Sequence, residues 1–113
     1  MQTLATPGQV DEFLRANPEC ALLKIGTCYK TAEIFSHIEA HLGGRVDLPL
    51  GLIHVVESRP ASDHVATLTG IRHESPQIVF FRSGRAVFDR DNWDITSEAM
   101  AEALSQLFAV SPA

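Results

Sequence analysis

The sequence predicts an α/β protein, and three observations support that class. Two apolar runs, at 20–26 and 49–56, have the length and composition of strands covered on both faces. An amphipathic segment separates them, and a strand, helix and parallel strand in succession form a right-handed unit. Two further short apolar runs are joined by Ser83-Gly84, which indicates a β-hairpin. The predicted order is α-β-α-β-α-β-β-α, around a mixed sheet of about four strands flanked by helices.

The composition is typical of one globular domain. The chain has 113 residues, of which 45% are hydrophobic and 20% charged, so a core can form without disulfides or metals. We therefore expect residues 1–113 to be a single domain. The net charge of -5 and the lack of a basic run argue against binding to nucleic acid or to an anionic membrane. Because neither a membrane-spanning run nor a signal peptide is evident, we expect a cytoplasmic protein.

The first three elements follow from local signals. Thr6-Pro7-Gly8-Gln9 starts a helix with a capping box and a proline at its first position, and Asn17-Pro18 ends it. The strand at 20–26 breaks at Gly26. The second helix then extends to about Leu42, since four apolar side chains recur there at helical spacing: Ile34, Phe35, Ile38 and Leu42.

The second half of the chain carries equally clear local signals. After the strand at 49–56, a helix is predicted from Arg59 to Thr69, with Gly70 at its C-terminal stop. Pro76 opens a strand, where a proline is tolerated, and this strand covers Ile78 to Phe81 before the hairpin returns through Ala86 to Phe88. Thr96 or Ser97 caps a last helix, whose apolar face comprises Met100, Ala103, Leu104, Leu107 and Phe108.

Cys28 falls at the junction between the first predicted strand and the second helix. Unpaired backbone N–H groups and the positive end of the helix dipole both favour a thiolate at such a position. Lys30 adds a cation, and Thr31 offers a hydroxyl and an N–H that could donate to sulfur. The alternative is that Cys28 is a small apolar filler. Cys20, at the other end of the strand, should be roughly 20 Å away, so we expect two free thiols.

No metal site is expected, because the chain has neither a C-x-x-C motif nor Cys and His residues at zinc-binding spacing.

The second half of the chain carries several specific motifs: Glu57-Ser-Arg, Ser62, Thr69-Gly70, His73-Glu-Ser-Pro-Gln77 and Trp93-x-Ile-Thr96. They resemble those of one known family, the bacilliredoxins of the monothiol, YtxJ-like kind, which have the thioredoxin-like fold. The similarity covers the chain from about Phe13 to Leu107. Where members of that family carry Cys-Pro-x-Ser, this chain has Cys28-Tyr-Lys-Thr31.

The resemblance implies an activity and its participants. Bacilliredoxins remove bacillithiol, a low-molecular-weight thiol, from mixed disulfides on proteins. Cys28 would be the nucleophile, bacillithiol a co-substrate rather than a bound cofactor, and bacillithiolated client proteins the partners. The resemblance also implies that the Ser75–Pro76 bond is cis and faces Cys28. The substrate-binding residues that we expect around the thiol are Thr27, Lys30, Thr31, Ser75, Pro76 and Trp93.

Two residues have alternative interpretations at this stage. The strand after the hairpin should bring Trp93 back to the Cys28 end of the sheet, where it forms either a wall of the substrate groove or a plug over the sheet edge. His73 could either supply positive charge near the thiolate or be a loop histidine bonded to backbone.

Two alternatives to bacillithiol removal also stay open. One is a glutaredoxin-like enzyme that uses another small thiol, and the other is a thioredoxin-fold module that binds peptides without catalysis. A depressed pKa of Cys28 would favour an enzyme over a binding module.

Overall fold

A computed structural model describes residues 1–27, 30–43, 45 and 47–107, with Lys30 described by its backbone alone. Strands are β1 (Gln2–Thr3), β2 (Cys20–Ile25), β3 (Leu50–His54), β4 (Gln77–Arg82) and β5 (Arg85–Asp91). Helices are α1 (Pro7–Ala16), α2 (Lys30–Leu42), α3 (Arg59–Thr69) and α4 (Ser97–Leu107), and a 3₁₀ helix covers Asn92–Asp94.

The strands form one mixed sheet in the order β1-β3-β2-β4-β5. β1 and β2 run parallel to β3, whereas β4 is antiparallel to both β2 and β5. In this register Lys24 lies opposite Gln77, and Gln77 lies opposite Asp91. Therefore β2, β3 and β5 end, and β4 begins, along the same edge of the sheet, the one formed by the strand ends.

The predicted α/β class and the order of the major elements are confirmed. The fifth strand, β1, was not predicted, because two exposed residues carry no periodic signal. It forms because the next residue, Leu4, is fully buried and its N–H donates to Leu52 O at 2.8 Å. The predicted strand at 49–56 was too long, since β3 ends at His54 and Val56 is exposed.

Two hydrophobic layers cover the two faces of the sheet. α2 and α4 pack together on one face, and α1 and α3 on the other. Because side chains alternate along a strand, Leu23 of β2 joins the first layer and Leu22 joins the second. The same alternation places Lys24 on the face of the sheet that α1 and α3 cover.

The predicted helix and turn signals are observed. Thr6 Oγ1 accepts a hydrogen bond from the N–H of Gln9 at 3.1 Å, and Thr96, one of the two candidates, caps α4 by accepting from the N–H of Ala99 at 3.1 Å. Ser83 and Gly84 both have positive φ, at 54° and 76°, as the tight turn of a hairpin requires. None of the helices in the described ranges combines the length and the hydropathy needed to cross a membrane.

Candidate active site

The predicted nucleophile, Cys28, falls in the chain between β2 and α2. β2 ends at Ile25, and α2 begins at Lys30. Cys28 and Tyr29 themselves lie outside the described residues, so the thiolate environment predicted for Cys28 stays a prediction. The residues on either side, and the loop opposite them, are described.

That opposite loop carries the proline suggested by the resemblance. The Ser75–Pro76 peptide bond is cis, as expected. Pro76 is buried, and its carbonyl accepts a hydrogen bond from the N–H of Asn92 at 2.9 Å. A Cβ placed on Gly26 would lie 3.0 Å from Ser75 Oγ. The loop therefore passes directly over Gly26, two residues before Cys28 in the chain.

Two buried hydroxyls flank this part of the chain. Within the described ranges, Thr31 Oγ1 and Ser75 Oγ are the buried side-chain polar atoms that have no hydrogen-bond partner. An unsatisfied buried hydroxyl is unfavourable by about 1–3 kcal/mol. Both residues were predicted to bind substrate, and a ligand that supplied the missing partners would remove this cost.

An open cavity of about 630 Å³ adjoins the start of α2. Thr27, which is exposed, and Thr31 contribute its hydroxyl groups. The remaining lining is Ile25, Gly26, Ala32, Phe35 and Leu52. This surface suits an extended, partly apolar ligand. The predicted contribution of the Lys30 ammonium stays a prediction, because only its backbone is described.

Trp93 returns to the same edge, as the topology predicted. It lies in the 3₁₀ helix that follows β5, directly after the strand end paired with the start of β4. Its side chain is 50% exposed. This exposure favours the wall of a groove over a plug on the sheet edge.

A buried lysine was not among the predicted site residues. Lys24 of β2 is only 1% exposed, and its Nζ lies 3.1 Å from His73 Nδ1, in the loop that leads to Pro76. Ser62 Oγ lies 3.2 Å from the same nitrogen. Burial lowers the pKa of Lys24 to about 8, against the opposing effect of the Asp63 carboxylate. A lysine inside the apolar run at 20–26 was the sequence signal for this cluster.

His73 does not supply the positive charge considered for it. Burial, and then the Lys24 charge, lower its pKa below the ordinary value of 6.5. At neutral pH the ring is therefore neutral, and its Nδ1 accepts a hydrogen bond from the Lys24 ammonium. The proton of the ring is then on Nε2. The buried cation next to this loop is the Lys24 ammonium.

Cys20 has the opposite character from a reactive thiol. It is a free cysteine and fully buried. Burial, with a smaller effect of Glu19, raises its pKa to about 12. It is therefore protonated at neutral pH, as expected for a thiol at the far end of the strand.

The sheet order, the cis-proline and the adjoining strand–helix junction define a thioredoxin-fold protein, and solved structures agree. A protein described as a candidate oxidoreductase with a thioredoxin fold is 30% identical, with a TM-score of 0.82 over 90% of this chain and 91% of that one. Fasciola hepatica thioredoxin shares the fold at 16% identity, with a TM-score of 0.77 over 94% and 98%. Thioredoxin O2 from Arabidopsis thaliana does so at 14% identity, with a TM-score of 0.76 over 96% and 94%.

A more specific assignment comes from the family models. The model described as monothiol bacilliredoxin BrxC matches residues 2–100. The chain therefore belongs to the monothiol bacilliredoxin family and is a thiol–disulfide oxidoreductase of the thioredoxin fold.

Proposed function

We propose that this protein removes bacillithiol from mixed disulfides on client proteins, with Cys28 as the nucleophile. The family match carries the proposal. The state of the other cysteine supports a scheme with one reacting thiol, because the chain has only two cysteines and Cys20 is buried and protonated. The expected setting is the cytoplasm, where small thiols keep cysteines reduced.

The reaction consists of two thiol–disulfide exchanges. The Cys28 thiolate attacks the bacillithiol sulfur of the mixed disulfide, and the client sulfur leaves as a thiolate that takes a proton from water. Cys28 then carries bacillithiol. The thiolate of a second small thiol attacks the bacillithiol sulfur, a disulfide of the two small thiols forms, and Cys28 leaves as a thiolate. Each step exchanges one S–S bond for another, and the second small thiol is the net reductant, because it ends in a disulfide while the client regains its thiol.

The residues at the sheet edge have distinct roles in this proposal. Ser75 and Pro76 present the backbone along which an extended client segment binds, and Trp93 forms one wall of the groove. Thr27 and Thr31 line the cavity that accommodates the small thiol. The unpartnered hydroxyls of Thr31 and Ser75 supply hydrogen bonds to these ligands. Lys30 adds positive charge at the start of α2.

A single-turnover experiment tests the proposal. The reduced protein is mixed with one equivalent of a client protein carrying bacillithiol, without any other thiol, and intact masses are recorded. We expect the client to lose bacillithiol and this protein to gain one bacillithiol on Cys28. Cys28→Ser should abolish transfer, because a serine hydroxyl is not ionised at neutral pH. Cys20→Ser should retain it and serves as the matched control.

The same client carrying glutathione distinguishes the alternatives. Faster release of glutathione than of bacillithiol would contradict the proposed substrate and favour a glutaredoxin-like enzyme. Client binding without transfer of either thiol would favour a peptide-binding module. A Cys20–Cys28 disulfide after turnover would refute the scheme in which one cysteine reacts.

A further inference from the structure

Lys24 is a charged residue in the interior of the protein. Of the residues that the structure describes, it is the one charged side chain that is buried. No carboxylate oxygen in the described ranges lies within the 4.0 Å limit of an ion pair with its ammonium. Its ammonium lies 3.1 Å from Nδ1 of the uncharged His73 ring, and Ser62 Oγ lies 3.2 Å from the same nitrogen. The ammonium is therefore hydrogen-bonded, but its charge is not neutralised by a direct partner in the described ranges.

A buried charge without a counter-ion is costly, so its place in the chain is informative. Lys24 precedes Cys28 by four residues, which limits their Cα–Cα distance to roughly 14 Å. Its ammonium is directed to His73, and Ser75, two residues further along the same loop, lies over Gly26. The positive charge thus lies beside the loop that passes over Gly26, two residues before Cys28 in the chain.

We propose that the Lys24 ammonium is the buried electrostatic partner of the Cys28 thiolate, and that Ser62 and His73 hold it in place. This inference rests on the proposed function only in taking Cys28 as the reacting thiol. Lys24 acts on that thiol through its charge and does not touch substrate, so it is a positioning residue. The thiolate, once formed, is the counter-ion that the ammonium otherwise lacks.

The other charged groups described around the cluster are exposed or half-buried and therefore largely screened by solvent. α3 contributes Arg59 and Asp63, and the loop contributes Glu74, whose carboxylate lies 3.8 Å from the Arg72 guanidinium. Asp63 and Glu74 are negative and Arg59 and Arg72 positive, so these four groups largely offset one another. Lys30, at the start of α2, is described by its backbone alone. Among the described side chains, the buried charge is that of Lys24.

The direct test is the titration of Cys28 in Lys24→Met, followed by ultraviolet thiolate absorbance and by the pH dependence of alkylation. If the two charges are separated by the roughly 14 Å that the chain allows between the two Cα atoms, and the effective dielectric constant is about 20, losing the cation should raise the Cys28 pKa by nearly one unit. Alkylation near pH 7 should slow by up to about tenfold. Arg59→Met is the matched control, since it removes an exposed cation from the same neighbourhood and should shift the pKa far less.

A reciprocal measurement uses the unsubstituted protein and so does not depend on the folding of a variant. Coupling between two titrating groups is mutual. Converting Cys28 to its neutral carbamidomethyl form should therefore lower the Lys24 pKa by the same amount. The ammonium signal can be followed by NMR with labelled lysine, because the chain has only two lysines.

These titrations separate this inference from the proposed function, because they use no mixed disulfide. An unchanged Cys28 pKa in folded Lys24→Met, or an unchanged Lys24 pKa after blocking Cys28, would overturn the inference even if bacillithiol is released. Both shifts, observed in a protein that releases no bacillithiol, would support it and refute only the proposed substrate.

Discussion

Replacing Lys24 with methionine should make the protein more stable at neutral pH. Methionine has a similar length and no charge, so it can fill the same buried space between β2 and α3. The ammonium is buried without a carboxylate partner. Substituting buried charges by apolar groups of similar volume is often stabilising.

The size of the gain follows from the Lys24 pKa. Burial lowers it from 10.5 to about 8, and at about 1.36 kcal/mol per unit this corresponds to roughly 3 kcal/mol at pH 7. Loss of the hydrogen bond to His73 costs about 1 kcal/mol, so the net gain should be roughly 2 kcal/mol. The unfolded chain binds more protons than the folded chain between pH 8 and 10.5, so the original protein becomes more stable as the pH rises through that window.

Urea unfolding at pH 7 and pH 9.5 measures both effects. The advantage of Lys24→Met should be about 2 kcal/mol at pH 7 and should disappear by roughly pH 9.5. Both proteins carry Cys28→Ser, so that a change in the Cys28 pKa does not enter the comparison. Comparing them at each pH cancels the titration of Cys20, and Arg85→Met controls for the loss of an exposed cation. Parallel pH profiles for Lys24→Met and the original protein would refute the argument, because the lysine would then titrate alike in the folded and unfolded chains.

Two further predictions concern packing and thiol reactivity. Gly51→Ala should destabilise the protein by about 1–3 kcal/mol in urea unfolding, because its Cβ would lie 2.8 Å from Leu22 Cδ2 and 2.9 Å from Leu4 Cδ1. In the control Gly8→Ala the nearest atom is 3.9 Å away, and a gain of about 0.5–1 kcal/mol is expected in α1. Equal effects of the two would count against tight packing at Gly51. Cys20 should react with iodoacetamide at least roughly a hundred times more slowly in the native protein than in urea, because burial raises its pKa to about 12. Comparable rates by mass spectrometry would show that it is accessible.

The sequence predicts elements well where the signal is local. α3 has the predicted bounds, and Gly70 ends it with a φ of 71°. The capping box of α1 and the hairpin at Ser83-Gly84 each depend on residues within four positions of one another. The cis bond before Pro76 came from the family resemblance, since most X–Pro bonds are trans.

Features that depend on distant contacts could not be predicted in this way. β1 exists only through pairing with β3, some fifty residues along the chain. His64 Nε2 lies 2.7 Å from Asp11 Oδ1, across the contact between α1 and α3, and no local pattern pairs these two residues. The Lys24–His73 contact joins residues from β2 and a distant loop. Apolar periodicity locates the strand around Lys24, but it does not indicate which polar groups the fold brings to its ammonium.

A buried cation suits a mechanism in which one cysteine performs both exchanges. Cys28 must be a thiolate to attack, and it must also leave as a thiolate when the second small thiol resets it. A lower thiol pKa increases the ionised fraction in the first step and improves the leaving group in the second. Enzymes with a resolving cysteine can instead release their substrate through an internal disulfide, which the buried, protonated Cys20 does not offer here. In the proposed scheme, the stability lost by burying Lys24 is therefore offset by help to the same sulfur in both half-reactions.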